Sequence, residues 1–338
     1  MAPTTCHGLL NHVADNCFAR SLSSMHASLE SPSAEYDTTS SSRRSTAEAS
    51  WIDVCVPVLL EIATHDEGTA VALAVRSVPY AALLTAVNRG AVDDRAVDIT
   101  GLRLWDFGRC LARFVATHHA VFDHATALEL GCGCGALSLS LACSARGATV
   151  VATDYSDAAL TFARDNVAAH CDCVVAASVR VEPLSWRCRD DAIVHGPVIG
   201  ALELELRGQC DFVLGCDLLY YKTSANAVFA TAARLLRPEF GVFLFGGHAR
   251  VPGTIASIRE AAAEEGLALR FIDMDRLRTY EEAPRCYWNR TDADGGYFAL
   301  LAMSTEAIER FVAREAIGGA LRFDDGVDDE SDVVDGVW

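Results

Sequence analysis

The stretch TALELGCGCGALSLSLA, residues 126–142, decides the fold of this chain. It opens with a short apolar run that ends at a glycine, which is the pattern of a buried strand. Three glycines and two cysteines then alternate over residues 131–135, and a segment of helical character follows. Glycine permits a tight turn that few side chains tolerate, and such a turn brings bare backbone close to a ligand at a helix N-terminus. The stretch therefore predicts a strand, a ligand-binding turn and a helix.

The alternation of strands and helices continues beyond this stretch. Further strands are predicted in ATVVATD (148–154), SVRVEPLSW (178–186), CDFVLGCD (210–217), FGVFLFGG (240–247), LALRFIDM (267–274) and GYFALLAM (296–303). Helices are predicted in DAALTFARDNVAAH (157–170), TSANAVFATAARLLRP (223–238) and PGTIASIREAAAEEG (252–266). Strands that alternate with helices form a mostly parallel sheet with both faces covered. We therefore predict an α/β fold with a doubly wound, mostly parallel, seven-stranded sheet.

The residues before this core predict a short N-terminal β/α extension. EGTAVALAVRSVP (67–79) has the composition of one or two strands, and GLRLWDFGRCLARFVATH (101–118) that of a turn leading into an amphipathic helix. We expect a single domain over residues 51–318, with the extension at 51–125, the core at 126–318 and an insertion at 187–209. Residues 1–50 are rich in serine and threonine and are expected to be disordered, and residues 319–338 form an acidic tail.

Composition and charge exclude several classes of protein. The chain has 338 residues and a formal net charge of −18, which argues against nucleic-acid binding because such modules carry basic patches. No apolar run reaches the roughly 20 residues that span a bilayer, so no membrane segment is expected. The start of the chain lacks the features of a secretory signal, and the 13 cysteines are expected to be reduced thiols. We expect a cytoplasmic or nuclear compartment and favour a mitochondrial one less.

The two cysteines of the glycine-rich turn raise the question of a metal site. Cys132 and Cys134 form a C-x-C pair, but the nearest further pair, Cys171 and Cys173, lies beyond the second helix. This spacing matches no strong zinc pattern. The cysteines are better interpreted as small residues in a tight turn, and we predict no metal.

The glycines and two carboxylates indicate the kind of ligand. Gly131, Gly133 and Ala136 satisfy the loose dinucleotide pattern G-x-G-x-x-G/A, which alone is a weak signal. Asp154 ends the next strand, where a carboxylate can accept hydrogen bonds from both hydroxyls of a ribose. NAD and S-adenosylmethionine both fit these features. Glu129, two residues before the first glycine, favours S-adenosylmethionine because its carboxylate can pair with the methionine ammonium, which NAD lacks.

Several motifs together resemble a known family. They are ALELGCGCGALSL (127–139), VVATDYSDAAL (150–160) followed by Asn166, PLSW (183–186) and CDFVLGCDLLYY (210–221). In this order they resemble the seven-β-strand S-adenosylmethionine-dependent methyltransferases, and more narrowly the methyltransferase-like protein-lysine methyltransferases called family 16. The upstream GLRLWDFGRCLARFV (101–115) and the D-x-x-Y at Asp217–Tyr220 point to the narrower group. The resemblance covers roughly residues 68–312 and implies a Rossmann-like methyltransferase fold.

The resemblance implies a set of site residues and a cofactor. S-adenosyl-L-methionine would be bound by Trp105, Glu129, Gly131, Cys132, Gly133, Gly135, Asp154, Trp186 and Cys216. Within this set the glycine turn would line the methionine part, Asp154 would hold the ribose and Trp186 would lie by the adenine. Trp105 would close the pocket, and Cys216 would contribute backbone near the sulfonium.

The resemblance also implies a reaction and a substrate. Asp217 would orient a lysine amine at the pocket mouth, and Tyr220 would shape the channel, so both are predicted catalytic residues. The acceptor would be a lysine of a protein substrate, and the enzyme is expected to be a monomer. Arginine, histidine or a small-molecule nitrogen stay open as acceptors, because the glycine turn and Asp154 contact only the cofactor. An NAD-dependent dehydrogenase and a non-catalytic scaffold are the less favoured alternatives.

Overall fold

The computed structural model describes residues 56–63, 70–79, 100–170, 179–187, 200–220, 223–249, 253–272 and 296–314. The strands are β1 (Val56–Ala63), β2 (Ala70–Ser77), β3 (Thr126–Leu130), β4 (Thr149–Asp154), β5 (Val179–Pro183), β6 (Phe212–Cys216), β7 (Val242–His248), β8 (Ala268–Phe271) and β9 (Gly296–Ala302). The α-helices are α1 (Asp106–Thr117), α2 (Ala136–Ser144), α3 (Asp157–Ala169), α4 (Ala201–Leu206), α5 (Ala225–Leu235), α6 (Thr254–Glu264) and α7 (Thr305–Val312). Short 3₁₀ turns lie at Thr100–Leu102 and His119–Val121.

Strands β3 to β9 form one seven-stranded sheet in the order β5-β4-β3-β6-β7-β9-β8. Strands β3, β4, β5, β6 and β7 are parallel, and β9 runs antiparallel to both of its neighbours. The chain moves outward from β3 to β5 and then returns to the other side of β3 with β6. A doubly wound sheet binds ligands at such a switch point, outside the carboxyl ends of the strands. The predicted fold class is therefore confirmed, and the site is expected where β3 and β6 end.

The central strands of the sheet are buried on both faces because their residues are mostly apolar. Along β6 and β7, Phe212, Leu214, Val242 and Leu244 pack into a core cluster with helices α1, α2 and α7. The intervening residues pack on the other face, where α5 and α6 cover them. Alternate residues of a strand point to opposite faces. A continuous apolar run is thus what a parallel strand between two helical layers requires.

Strands β1 and β2 form an antiparallel hairpin that docks on α3 through two buried side chains. Asn166 Oδ1 accepts a hydrogen bond from Arg76 N at 2.9 Å, while its Nδ2 donates to Cys134 O at 2.8 Å. His170 Nε2 accepts from Ala74 N at 3.1 Å, and burial lowers the pKa of this imidazole, which favours the neutral ring that can accept. The hairpin is therefore tied through one asparagine to the glycine-rich turn.

The predicted domain boundaries are only partly visible in the structure. The serine- and threonine-rich segment 1–50 and the tail 319–338 lie outside the described residues, as do residues 188–199 of the predicted insertion. The described remainder of that insertion contains helix α4. Within the described part of the chain, no helix combines the length and the apolar character needed to cross a bilayer.

Candidate active site

A cavity opens at the carboxyl ends of β3, β4 and β6, at the switch point of the sheet. Ten of the eleven predicted site residues line it, with Gly135 as the exception. Those ten are Trp105, Glu129, Gly131, Cys132, Gly133, Asp154, Trp186, Cys216, Asp217 and Tyr220. The sequence interpretation missed further lining residues, which are Thr100, Gly101, Arg103, Leu104, Gly108, Cys134, Ala136, Leu137, Tyr155, Ser156 and Leu218. The structure thus brings together residues that are more than 100 positions apart.

The glycine-rich turn comes into contact with the segment before α1. Gly133 has a φ of +53°, and a Cβ placed on it would lie 2.7 Å from the carbonyl oxygen of Gly101. The two backbones can approach this closely because Gly133 has no side chain. This contact positions the 3₁₀ turn Thr100–Leu102 as one wall of the cavity. In the sequence, this wall was indicated only by Gly101, the first residue of GLRLW.

Gly133→Ala is expected to destabilise the fold more than Gly253→Ala. A left-handed backbone costs an L-residue about 1–2 kcal/mol, and both glycines have a positive φ. A Cβ at Gly253 meets no atom within 4 Å, whereas at Gly133 it also meets backbone. Thermal unfolding of the two variants measures the difference. Equal decreases in Tm would show that the Gly101 contact is not tight.

Gly135 has a structural role that differs from the predicted one. Its φ is +77°, and a Cβ there would lie 3.1 Å from the Cβ of Ala163 in α3. Its N–H donates to Cys132 O at 2.8 Å, and its carbonyl accepts from Leu139 N in the first turn of α2. This glycine therefore closes the turn and lets α2 pack against α3, and it does not line the cavity.

Asp154 is buried between two backbone donors. Its Oδ2 accepts from Gly133 N at 3.0 Å, and its Oδ1 accepts from Ser156 N at 2.9 Å. The carboxylate thus holds the glycine-rich turn through one oxygen and the start of α3 through the other. A carboxylate oxygen can accept more than one hydrogen bond. The arrangement is therefore suited to two neighbouring hydroxyl groups of a ligand.

Glu129 is a buried carboxyl group in the cavity wall. Its Oε2 accepts from Ser138 N at 2.9 Å and from Ser138 Oγ at 2.5 Å. Burial raises the pKa of Glu129 to about 8, assisted by the nearby charge of Asp154 and opposed by the two bonds from Ser138. A carboxyl group held in this state gains most from a cationic partner, because a nearby positive charge favours the ionised form.

The two cysteines of the turn are buried, inert thiols. Burial raises the pKa of Cys134 to about 12 and that of Cys132 well above its usual range, with nearby Glu129 adding to both. Metal ligation and nucleophilic attack both require the thiolate. The prediction that these cysteines serve as small residues agrees with this burial.

Two tryptophans form walls of the cavity. Trp105 donates from Nε1 to Thr100 O at 3.1 Å, and the Arg103 guanidinium lies 5.2 Å from its ring centroid. On another side, Trp186 covers the turn, because a Cβ on Gly131 would lie 3.0 Å from Trp186 Cζ2. Aromatic rings in such positions offer flat apolar faces to a planar ligand group.

Asp217 adopts an unexpected conformation at the end of β6. Its φ is +53°, its N–H donates to Gly246 O at 2.8 Å, and its side chain is only 3 % exposed. Oδ1 accepts from His248 N at 3.2 Å and lies 3.4 Å from His248 Nδ1. The sequence predicted a carboxylate presented at the cavity mouth. The structure places the carboxylate against the end of β7, and Asp217 is one of the residues that line the cavity.

Tyr220 lies at a tight turn at the rim of the cavity. Its N–H donates to Thr223 Oγ1 at 2.7 Å, and its carbonyl accepts from Thr223 N and from Thr223 Oγ1. The half-buried side chain lines the cavity. Because Thr223 bonds both the N–H and the carbonyl of Tyr220, it fixes the position of the Tyr220 backbone. Its predicted role in shaping an acceptor channel stays a prediction.

Three solved structures are similar to this chain at low identity. They are the [4+2]-cyclase SpnF (15 % identity, 65 % of this chain and 90 % of that one, TM-score 0.41), a ribosomal protein L11 methylase from Lactobacillus delbrueckii subsp. bulgaricus (17 %, 56 % and 75 %, TM-score 0.34) and a precorrin-6y C5,15-methyltransferase from Geobacter metallireducens (14 %, 56 % and 87 %, TM-score 0.36). A comparison with curated protein sequences finds no match.

A family model supplies the remaining finding. Residues 91–252 match family 16 of the methyltransferases, which is described as lysine methyltransferase. The matched range contains every residue of the cavity, from Thr100 to Tyr220. Over this range the chain is similar to the lysine methyltransferases of that family.

Proposed function

We propose that the protein transfers a methyl group from S-adenosylmethionine to a lysine side chain of a protein substrate. The observation that carries this proposal is the pairing of two buried carboxyl groups, Glu129 and Asp154, on either side of a bare glycine turn. They supply a partner for an ammonium and acceptors for ribose hydroxyls within one cavity. The description of the matched family supports lysine as the acceptor.

The residues of the cavity fit this cofactor. Gly131 and Gly133 leave no side chain over the backbone that would face the methionine part. Trp186 offers an aromatic face for the adenine, and Trp105 also lines the cavity. When bound, S-adenosylmethionine supplies an activated methyl group on a sulfonium. Holding the reacting atoms close and in line supplies much of the acceleration of such a displacement.

The acceptor must lose a proton before it attacks. A lysine amine has a reference pKa of about 10.4, so it is protonated at neutral pH. Apolar and aromatic surroundings favour its neutral form, and Leu218 and Tyr220 line the cavity on this side. The negative charge of Asp217 attracts and orients the ammonium, and water takes the proton. A net charge of −18 also favours a basic protein surface as the partner, and we propose that the enzyme acts as a monomer.

The direct test is to incubate the protein with isotope-labelled S-adenosylmethionine and a cell extract. Mass spectrometry of the labelled proteins is expected to find methyl groups on lysine side chains. Label on arginine, on histidine or only on small molecules would replace the proposed acceptor while keeping methyl transfer. In a parallel thermal-shift panel, S-adenosylhomocysteine is expected to stabilise the protein. Stabilisation by NAD alone would overturn the cofactor assignment.

The affinity for S-adenosylhomocysteine is expected to rise with pH. The pKa of Glu129 is about 8 in the protein without ligand, against 4.5 for an ordinary glutamate. Pairing with the ligand's ammonium requires the carboxylate, so binding near pH 6.5 releases a proton from Glu129. Titration calorimetry should show affinity rising by up to about tenfold per pH unit below pH 8.

Protonation of Glu129 also gives the sign of a stability change and a control. Between pH 4.5 and about 8 the folded protein holds a proton that the unfolded chain has lost. The contribution of Glu129 to the free energy of unfolding therefore falls as the pH rises through this window. In Glu129→Gln, the pH dependence of binding between pH 6 and 8 should be largely lost. An unchanged slope in that variant would show that another group carries the proton.

A further inference from the structure

The loop between β5 and the predicted insertion is fixed at both ends. At one end, Leu184 N donates to Asp154 O at 2.9 Å. At the other, both backbone groups of Arg187 are bonded to α5, because its N–H donates to Thr231 Oγ1 at 3.2 Å and its carbonyl accepts from Arg234 Nη2 at 3.1 Å. Trp186 lies between these two anchors, so its backbone has little freedom.

Thr231 is fully buried, and its hydroxyl group makes all the hydrogen bonds that it can. It donates to Ala227 O at 2.8 Å and accepts from Arg187 N and from Arg234 Nη2, the latter at 3.3 Å. A hydroxyl has one proton and two lone pairs. Three partners therefore satisfy this group, and any rotation of Thr231 would break a bond to the loop.

Arg234 is held in turn by a carboxylate from a different helix. Its Nε donates to Glu203 Oε1, and the two side chains are 21 % and 4 % exposed. Nη2 of the same guanidinium reaches the loop, so one planar group bridges α4, α5 and the residue after Trp186. Lysine cannot reproduce this bridge, because its donors radiate from a single nitrogen. A buried charge pair of this kind is costly unless it is fully bonded.

We propose that Thr231, Arg234 and Glu203 act as a positioning group that holds Trp186 in place as a wall of the cofactor cavity. None of the three lines the cavity, so they act through the loop. Trp186 in turn covers Gly131, where its Cζ2 would lie 3.0 Å from a Cβ. This inference rests on the proposed function, since the ligand held there is S-adenosylmethionine. It gives α4, within the predicted insertion, a role in binding the cofactor.

The first test compares two arginines that follow one another closely along the chain. Arg234→Lys is expected to weaken the binding of S-adenosylhomocysteine by about tenfold, as expected for the loss of a buried charged hydrogen bond. Arg237→Lys is the matched control, because Arg237 pairs with Asp211 at 2.9 Å and donates to Gln209 O but makes no bond to the loop. Calorimetry gives both affinities, and the control should stay within about twofold of the unaltered protein.

A second pair of variants keeps the test valid if Arg234→Lys fails to fold. Thr231→Val removes the hydroxyl at nearly constant volume, while Thr231→Ser retains the hydroxyl. The valine variant is expected to lose about five- to tenfold in affinity, and the serine variant is expected to bind more tightly than the valine variant. Equal affinities in the two variants would show that the hydroxyl does not act on the site.

A double-mutant cycle separates positioning from general destabilisation. In a protein that already carries Trp186→Phe, Arg234→Lys should lower the affinity for S-adenosylhomocysteine much less than it does when Trp186 is present. The reason is that both substitutions remove the same contribution of the tryptophan to binding. Additive losses would overturn the inference and indicate a general effect on the fold. If the unaltered protein does not bind S-adenosylhomocysteine, the proposed function fails. If it binds and Arg234→Lys binds equally well, only the positioning role fails.

Discussion

Asp154→Ala is expected to weaken the binding of S-adenosylhomocysteine by about 100-fold or more, since hydrogen bonds to a charged group contribute about 1.5–3 kcal/mol each. The substitution removes the acceptor proposed for two ribose hydroxyls. It also leaves Gly133 N and Ser156 N without the carboxylate oxygens that hold them. Both effects act on the ligand, the first directly and the second through the shape of the turn. Titration calorimetry measures the loss.

Two further variants make this result specific. Asp157→Ala changes an exposed carboxylate in the first turn of α3, three residues along the chain, and should bind S-adenosylhomocysteine about as well as the unaltered protein. Asp154→Asn should bind almost as poorly as the alanine variant. Each carboxylate oxygen accepts a backbone N–H, so the amide nitrogen of asparagine must face one of these donors. If Asp154→Ala bound S-adenosylhomocysteine within about threefold of the unaltered protein, the assignment of the ribose to Asp154 would be wrong.

The sheet and the strand ends were accessible from the sequence because their signals are local. A strand buried between two helical layers is largely apolar, and TALEL was placed at 126–130, where β3 runs from Thr126 to Leu130. The glycines that follow TALEL predict the turn by themselves. Parallel topology then brings the ends of β3, β4 and β6 to one edge, so Glu129, Asp154 and Asp217 were expected near each other. Each strand and the turn were located from residues within that element alone.

The parts that escaped prediction depend on contacts between distant residues. Strand β1, Val56–Ala63, lay outside every predicted strand, and its partner β2 docks on α3 through Asn166, some 90 residues away. The cavity wall at Thr100–Leu102 exists because Gly101 meets Gly133. Gly135 carries the same sequence signal as its neighbours, yet it faces Ala163. Residue type alone does not show which side of a turn a glycine faces.

Asp217 shows the same limit at the proposed catalytic site. The sequence does not indicate its left-handed backbone, because only a small fraction of aspartates adopt this conformation. The cause lies on the neighbouring strand, where a Cβ on Gly247 would lie 3.1 Å from Asp217 Cα. Gly247, near the end of β7, thus leaves room for Asp217 to lie against His248. Strained residues of this kind often occur at functional sites, which supports a role for Asp217.

Asp217→Asn is expected to lower methyl transfer by about 100-fold, in the range typical of a lost acid–base or charged group. Binding of S-adenosylhomocysteine should stay within about threefold, because no cofactor contact is assigned to this carboxylate. Asparagine tolerates the left-handed backbone and has nearly the same shape, so the variant removes charge without adding strain. Transfer of label to proteins of a cell extract measures the rate, and calorimetry measures binding. A rate close to that of the unaltered protein would remove Asp217 from the mechanism.

Two companion variants decide how Asp217 acts. Asp217→Gly relieves the backbone at φ +53° and removes the carboxylate, so a loss equal to that of Asp217→Asn assigns the effect to charge. Asp217→Ala adds strain and should be less stable than either.

His248→Gln then separates a direct action of the Asp217 carboxylate on the amine from an action through His248, because Oδ1 of Asp217 lies 3.4 Å from the imidazole Nδ1. If the glutamine variant keeps its activity, the carboxylate acts on the amine directly. If it loses as much as Asp217→Asn, Asp217 acts by orienting His248, and the imidazole becomes the group that faces the acceptor.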